Sequence, residues 1–273
     1  MERDTAFSDG QAAVRVQTGP PAKGGTERAL ATLKALAACP DGATLDTLAT
    51  AVGAPKSSVH RALAALVKAG FALRPEPGVY TLGTEFVRLA YAHHEARSEP
   101  RLVEPCLRQL AEAYGETAHY AELEGRDVVY LAKVAPARNN VRMSSTIGGR
   151  NPAHCTGVGK ALLASRLAAA RDPEAFIAGL GPLERRTPKT LSDPSALRAD
   201  LERTVRRGYA VDDEESEAGI NCIAFPLFLG SPTVASGAIS VAALRHRTTL
   251  DDLEAHAEEM REIIHDHLGP VTR

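Results

Sequence analysis

TLDTLATAVGAPKSSVHRALAALVKAG, residues 44–70, is the stretch on which the fold turns. Thr44 stands where a helix wants an N-cap hydroxyl, and Leu45, Leu48 and Val52 follow before Gly53 stops the segment. Two residues on, Pro55 sits where a first helical residue is pre-organised. A second helix then runs from Lys56 to Ala69, with Val59, Leu63, Leu66 and Val67 on one stripe, and Gly70 closes it. Upstream, Thr26 is placed to cap a helix carrying Leu30, Leu33, Leu36 and Ala37, which stops near Cys39-Pro40-Asp41-Gly42. Downstream, Phe71–Arg74 and Val79–Leu82 flank Pro75-Glu76-Pro77-Gly78, a hairpin with turn chemistry at its centre.

Helix, short helix, tight Gly turn, helix and hairpin form the order of a winged helix-turn-helix. The apolar stripe of the third helix leaves Lys56, Ser57, Ser58, His60, Arg61 and Lys68 nearer solvent. Such side chains reach base edges and phosphates, and an arginine chelates guanine. Arg74 on the hairpin is placed for the minor groove or backbone. A three-helix scaffold with a solvated face has no need of the hairpin, so a DNA reader is the favoured reading. Residues 1–97 carry 11 Lys and Arg against 9 Asp and Glu, and residues 98–273 carry 21 against 25. A mildly basic N-terminal unit joined to a larger acidic one suits a nucleic-acid reader with a regulatory module.

Residues 1–24 are polar and rich in Gly, Pro and Ala, and read as a disordered arm. The expected division is then a DNA-binding domain over 25–83, a linker helix over 84–97 and a second domain over 98–273. In the linker, Phe86, Leu89, Ala90 and His93 keep helical spacing. Its adjacent His93 and His94 point about 100° apart on a helix and do not chelate one ion. From Ser98 the pattern becomes α+β. A helix with Val103, Leu107 and Leu110 is followed by a hairpin over Thr117–Glu122 and Asp127–Val134, and by a short strand over Val141–Thr146. Helices are expected from Thr156, over Pro173–Ala178, after Ser192 or Asp193, and from Thr249 to the end. Strands are expected at Tyr209–Asp213, Asn221–Phe228 and Ala235–Ala243.

The chain is 273 residues long, with 44% hydrophobic and 24% charged residues, the composition of a soluble globular protein of two domains. No apolar run approaches the ~18 residues of a membrane span. Cys39, Cys106, Cys155 and Cys222 are scattered, without zinc spacing, and read as reduced thiols of a cytoplasmic protein. No metal and no cofactor is called for. Cys155-Thr156-Gly157-Val158-Gly159-Lys160 fails as a phosphate loop, because His stands at 154 and Ala at 161. What survives is a Thr-Gly helix start whose free N–H groups suit a carboxylate or a simple cap. His154, Cys155 and Cys222 raise Cys/His catalysis, but no nucleophile elbow accompanies them, and no catalytic residue is assigned. The acidic run Asp212–Glu215 reads as a solvated loop after a strand.

The helix–hairpin unit, PAHCTGVGKALLA (Pro152–Ala164) and DDEESEAGINCIAFPLF (Asp212–Phe228) together resemble the IclR family of transcriptional regulators over about residues 26–268. The resemblance implies an N-terminal winged helix-turn-helix, a linker helix and a C-terminal GAF-like effector-binding domain. It implies a homodimer or dimer of dimers on double-stranded DNA, with an inverted-repeat operator, controlled by a small organic-acid effector. The effector-contacting positions it implies are Gly148, Gly149, Thr156, Gly157, Asp212, Cys222 and Ser240. Where relatives often carry a hydroxyl two residues past Ser240, this chain has Ala242. Asp212 would repel an acid, so it is assigned to a ligand hydroxyl, favouring a sugar-acid-like or hydroxy-aromatic-acid effector. The function expected is a sequence-specific DNA-binding regulator, taken as a repressor and not an enzyme. The alternative class is a soluble enzyme or sensor using the second domain's Cys and acidic residues; a third is a protein scaffold.

Overall fold

The computed structural model describes residues 24–96, 98–136 and 145–269. The arm expected over 1–24 lies outside the described residues but for Gly24; of the strand expected at 141–146, residues 141–144 lie outside them and 145–146 are not in a strand. The chain divides into two compact units, Met1–Ala96 and Arg97–Arg273.

The first unit runs α1 (Gly25–Ala37), β1 (Ala43–Thr44), α2 (Leu45–Val52), α3 (Lys56–Lys68), β2 (Ala72–Glu76), β3 (Val79–Leu82) and α4 (Thr84–Ala96). The Thr44 hydroxyl accepts from the Thr47 N–H at 3.2 Å, and so caps α2. Gly53 ends α2 at φ 63°, a left-handed conformation that side chains disfavour, and this turns the chain into α3. Pro55 stands at the cap of α3 rather than inside its first turn, and α1 begins behind Gly24 rather than Thr26. Leu36, Leu48, Val59 and Leu63 are fully covered, with Ala72 and Tyr80 of the hairpin closing the core.

Two expected stripe residues are exposed instead, Leu30 at 57% and Val67 at 39%. Alanine and threonine fill the buried stripes: Val59, Ala62, Leu63 and Leu66 on α3, and Thr32, Ala35 and Leu36 on α1. Each stripe is thereby rotated away from the larger side chain. The wing gains a third strand, in the order β1-β3-β2, too short to carry an alternation pattern. Leu73 pairs with Thr81 but Glu76 with Val79, so a bulge falls at Arg74-Pro75, where proline has no N–H to give.

The second unit runs α5 (Ser98–Tyr114), β4 (Thr117–Glu124), β5 (Asp127–Val134), β6 (Arg150–Pro152), α6 (Gly157–Ala169), α7 (Pro173–Gly179) and α8 (Pro194–Arg207). It continues with β7 (Ala210–Asp213), β8 (Ile220–Leu227), β9 (Gly237–Leu244), α9 (Leu250–Ala255) and α10 (Ala257–Leu268). The strands form one antiparallel sheet in the order β6-β5-β4-β9-β8-β7. Alternation divides its faces. Ile223, Phe225, Ile239 and Val241 pack with α5, α9 and α10, whereas Ala224, Ala238 and Ala121 pack with α6 and α8. The C-terminal helix, expected unbroken from Thr249, is interrupted at His256. The result is an α+β unit in which β8 and β9 turn small residues such as Ala224 and Ala238 to α6 and large ones such as Ile223, Phe225 and Ile239 to the other face.

Candidate functional site

On α3 the buried stripe leaves Lys56, Ser57, His60, Arg61 and Lys68 exposed and Ser58 half-buried. Ser57, Arg61 and Lys68 follow at steps of four and seven, so they share one side of the helix. Lys56 lies 2.8 Å from the Asp46 carboxylate of α2. That exposed pair is weak and is readily exchanged for a phosphate. Among the described residues Arg61, Lys68 and Arg74 form no ion pair, and Arg74 leans over the Tyr80 ring at 5.8 Å. A helix with free cations beside a three-stranded wing is a surface that can read DNA.

In the second unit the strand register brings separate motifs together. Asp212 pairs with Cys222, Cys222 with Ala242, and Ala242 with Thr117, one row across four strands. The neighbouring row is Ala224, Ser240, His119 and Lys133. The start of α6 lies on these rows. A Cβ on Gly157 would fall 2.8 Å from Cys222 Sγ, so only glycine permits this approach. The Thr156 hydroxyl accepts from the Gly159 N–H at 3.2 Å and caps α6. Thr156, Gly157, Asp212, Cys222 and Ser240 thus line one cavity of about 50 Å3.

Gly148 and Gly149 are not among the residues that line it. The Gly148 N–H donates to the Tyr130 carbonyl at 2.7 Å and the Gly149 carbonyl accepts from the Tyr130 N–H, so both continue the pairing of β5. They extend the sheet beside this cavity rather than line it. His119, Tyr130, Ser145 and Asn151 line it instead and were not singled out. His119 Nε2 is 2.8 Å from Ser145 Oγ, and its ring lies 5.4 Å from that of Tyr130. Alternation of Thr117, His119 and Ala121 was the available signal for His119.

The acidic run is not a solvated loop. Asp212 is 4% exposed and Glu215 5%. Asp212 Oδ1 accepts from the Glu215 and Ser216 N–H groups at 2.7 and 3.3 Å, folding the turn back on the carboxylate. Glu215 pairs with Lys160 of α6, whose Nζ also lies 2.9 Å from Asp200 of α8, and Lys160 is fully buried. Burial opposes the Lys160 charge, but Glu215 and Asp200 outweigh it and hold the ammonium protonated. One buried cation therefore ties the start of α6, α8 and the Asp212 turn together.

Burial pushes Asp212 up to about 7 against the pull of Lys160, and takes His119 down to about 3, helped by Lys133. It also pushes Cys222 and Cys155 up to about 12, so both are thiols at neutral pH and neither is a ready nucleophile. The unfolded chain releases the Asp212 proton near 3.8, while the folded chain holds it to about 7. The stability this group contributes is complete below the lower value and is lost as pH rises through the upper one. Asp212→Asn is expected to level that slope and to be stabilising above neutral pH. Urea melts on both sides of the window check this; an unchanged slope means another group titrates there.

A winged helix with free cations and a second unit built around a small polar cavity define a one-chain transcription regulator. Residues 100–266 match the family described as bacterial transcriptional regulator IclR C-terminal, and residues 25–75 match the IclR helix-turn-helix domain. The chain belongs to the IclR family of DNA-binding transcriptional regulators. It is 32% identical over 203 residues to the transcriptional repressor IclR of Escherichia coli, covering 74% of this chain and 73% of that one. Among solved structures it is similar to a transcriptional regulator of Rhodococcus sp. RHA1, with TM-score 0.75, 26% identity, and 90% and 96% of the two chains covered. An IclR homolog from Microbacterium hydrocarbonoxydans, solved in complex with 4-hydroxybenzoate, shares the fold at TM-score 0.69 and 24% identity, over 89% and 100% of the two chains.

Proposed function

We propose that this chain represses transcription by binding an inverted-repeat operator as a homodimer, and that a small hydroxylated organic acid in the Asp212 cavity controls that binding. The observation that carries the reading is the convergence of Thr156, Gly157, Asp212, Cys222 and Ser240 on one cavity. The N–H groups at the start of α6 suit a carboxylate, and Asp212, Ser240 and Tyr130 suit hydroxyls. The 4-hydroxybenzoate held by the Microbacterium homolog has both groups. The relative named as a repressor supports the sign of regulation. A gel shift on the chain's own upstream region, with and without 4-hydroxybenzoate and sugar acids, tests the reading. Operator affinity that no such acid alters would overturn the effector assignment.

On α3, Lys56, Ser57, Ser58, His60 and Arg61 are assigned to the major groove and Lys68 to the backbone, with Arg74 of β2 at the minor groove or backbone. Lys68→Ala is expected to weaken all sequences alike and to lower the slope of log affinity against log salt by about 1. A selective loss at the operator would move Lys68 among the base readers.

A single winged helix offers limited specific area, and two-fold symmetry doubles it. Phe86, Val87 and Leu89 of α4 are 48%, 53% and 43% exposed, an apolar surface suited to a second copy. Joint replacement of Phe86 and Leu89 by glutamate is expected to give monomers in sedimentation and to abolish the operator shift. Dimers that persist in this variant would place the interface elsewhere.

A further inference from the structure

Between α6, α8 and the outer edge of β8 lies a cleft of about 530 Å3 that shares no lining residue with the Asp212 cavity. It exists because β7 pairs with β8 only as far as Ala210 and Ala224, which leaves Pro226 beyond the paired stretch. The floor is apolar: Ala161, Ala164 and Ala168 along α6, with Val205, Pro226 and Phe228 beside them. Ala161 and Ala164 are buried and Ala168 is exposed, so the trough runs from a closed end to an open one over about 10 Å.

The walls are cationic. Arg206, Arg207 and Arg261 all line the cleft. Glu254 lies 3.4 Å from Arg207 and Glu258 2.6 Å from Arg261, while Arg206 forms no ion pair among the described residues. Three guanidinium groups thus face two carboxylates. Arg207 Nη2, Arg261 Nε and Thr204 Oγ1 are buried without a hydrogen-bond partner among the described residues. Buried polar groups of this kind are ordinarily satisfied; the three atoms lie behind the cleft surface, and exposed Arg206 is the accessible unpaired cation on its wall among the described residues.

We propose that this cleft is a second ligand site, for an aliphatic carboxylate of roughly six to eight carbons, the length of a trough two helical turns long. The chain lies on the alanines of α6, and the carboxylate is held by Arg206, with Thr204, Arg207 and Arg261 behind it. Inorganic phosphate satisfies the arginines but leaves the apolar floor wet, and a neutral alcohol does the reverse. The site is independent of the reading given to the Asp212 cavity.

Calorimetry on the full chain with octanoate, and with octanol as the uncharged control, tests the proposal. Octanoate is expected to bind once per chain, with octanol at least about tenfold weaker. Arg206→Glu is expected to weaken octanoate by about tenfold or more, and Ala168→Phe, at the open end, to block it. Both positions are exposed, so both variants are expected to fold. Asp212→Asn is expected to retain octanoate binding. Equal binding of octanol, indifference to both cleft variants, or loss of octanoate in Asp212→Asn would each overturn the proposal. A change in sedimentation without a change in octanoate binding would mark the cleft as a contact between copies, and overturns it equally.

Discussion

Lys160→Ala is expected to cost about 3–5 kcal/mol of folding stability, the penalty for stripping one partner from a buried ion pair. Lys160 is fully buried between Glu215 and Asp200, and no other cation pairs with Glu215 among the described residues. Removing the ammonium leaves Glu215 charged in a dry site, or forces it to take a proton. The double variant Lys160→Met with Glu215→Leu removes that pair and leaves Asp200 to its second partner, Arg203 at 2.9 Å, so it is expected to regain much of the loss, because apolar replacement of a buried pair is often nearly neutral. Urea denaturation of the parent, single and double variants checks this. A single variant within about 1 kcal/mol of the parent would show that water already reaches the pair. The same double variant frees the Asp212 turn from α6, so effector response is expected to suffer even where stability returns.

Arg61→Ala is expected to lose about 1–3 kcal/mol at the operator and little at random DNA, the signature of a guanine reader. Arg61 is exposed on α3 and forms no ion pair among the described residues, so its guanidinium is free to spread over a base edge. Arg61→Lys keeps the charge and is expected to recover phosphate attraction without specificity, since an ammonium cannot chelate guanine through a planar fork. Competition titrations with operator and random duplexes separate the two terms. An Arg61→Ala chain with the parent's operator affinity would remove Arg61 from the recognition surface.

The first unit was legible in the sequence where local chemistry decides conformation. Thr44, Gly53 and Pro77-Gly78 act on their own neighbours, and the caps and turns they announce are the ones that form. The sequence was less informative where burial is decided by distant partners. Leu30 and Val67 fit helical stripes as well as Thr32 and Ala62 do, and only packing between helices selects the smaller pair. In the second unit the motif residues were visible as blocks, but their meeting depends on register. Asp212 reaches Cys222 across the β7–β8 hairpin, whereas Ser240 reaches His119 through a pairing between segments far apart in the chain. Gly148 and Gly149 extend the pairing of β5 beside the cavity and are not among the residues that line it. Asp212 and Glu215 were misjudged because an acidic run looks the same in water as when folded around a buried lysine.

The Asp212 cavity holds about 50 Å3, whereas pockets that enclose a small molecule span roughly 300–1,000 Å3. An effector larger than that space needs a widened form of the second unit, and its apparent affinity depends on how populated that form is before the effector arrives. The concentration needed to switch the regulator is the intrinsic dissociation constant divided by the open fraction. Dose sensitivity is then set by the stiffness of the Asp212 turn as much as by any contact with the effector. Loosening that turn lowers the working dose without adding an interaction, and over-tightening it produces a regulator deaf to its signal.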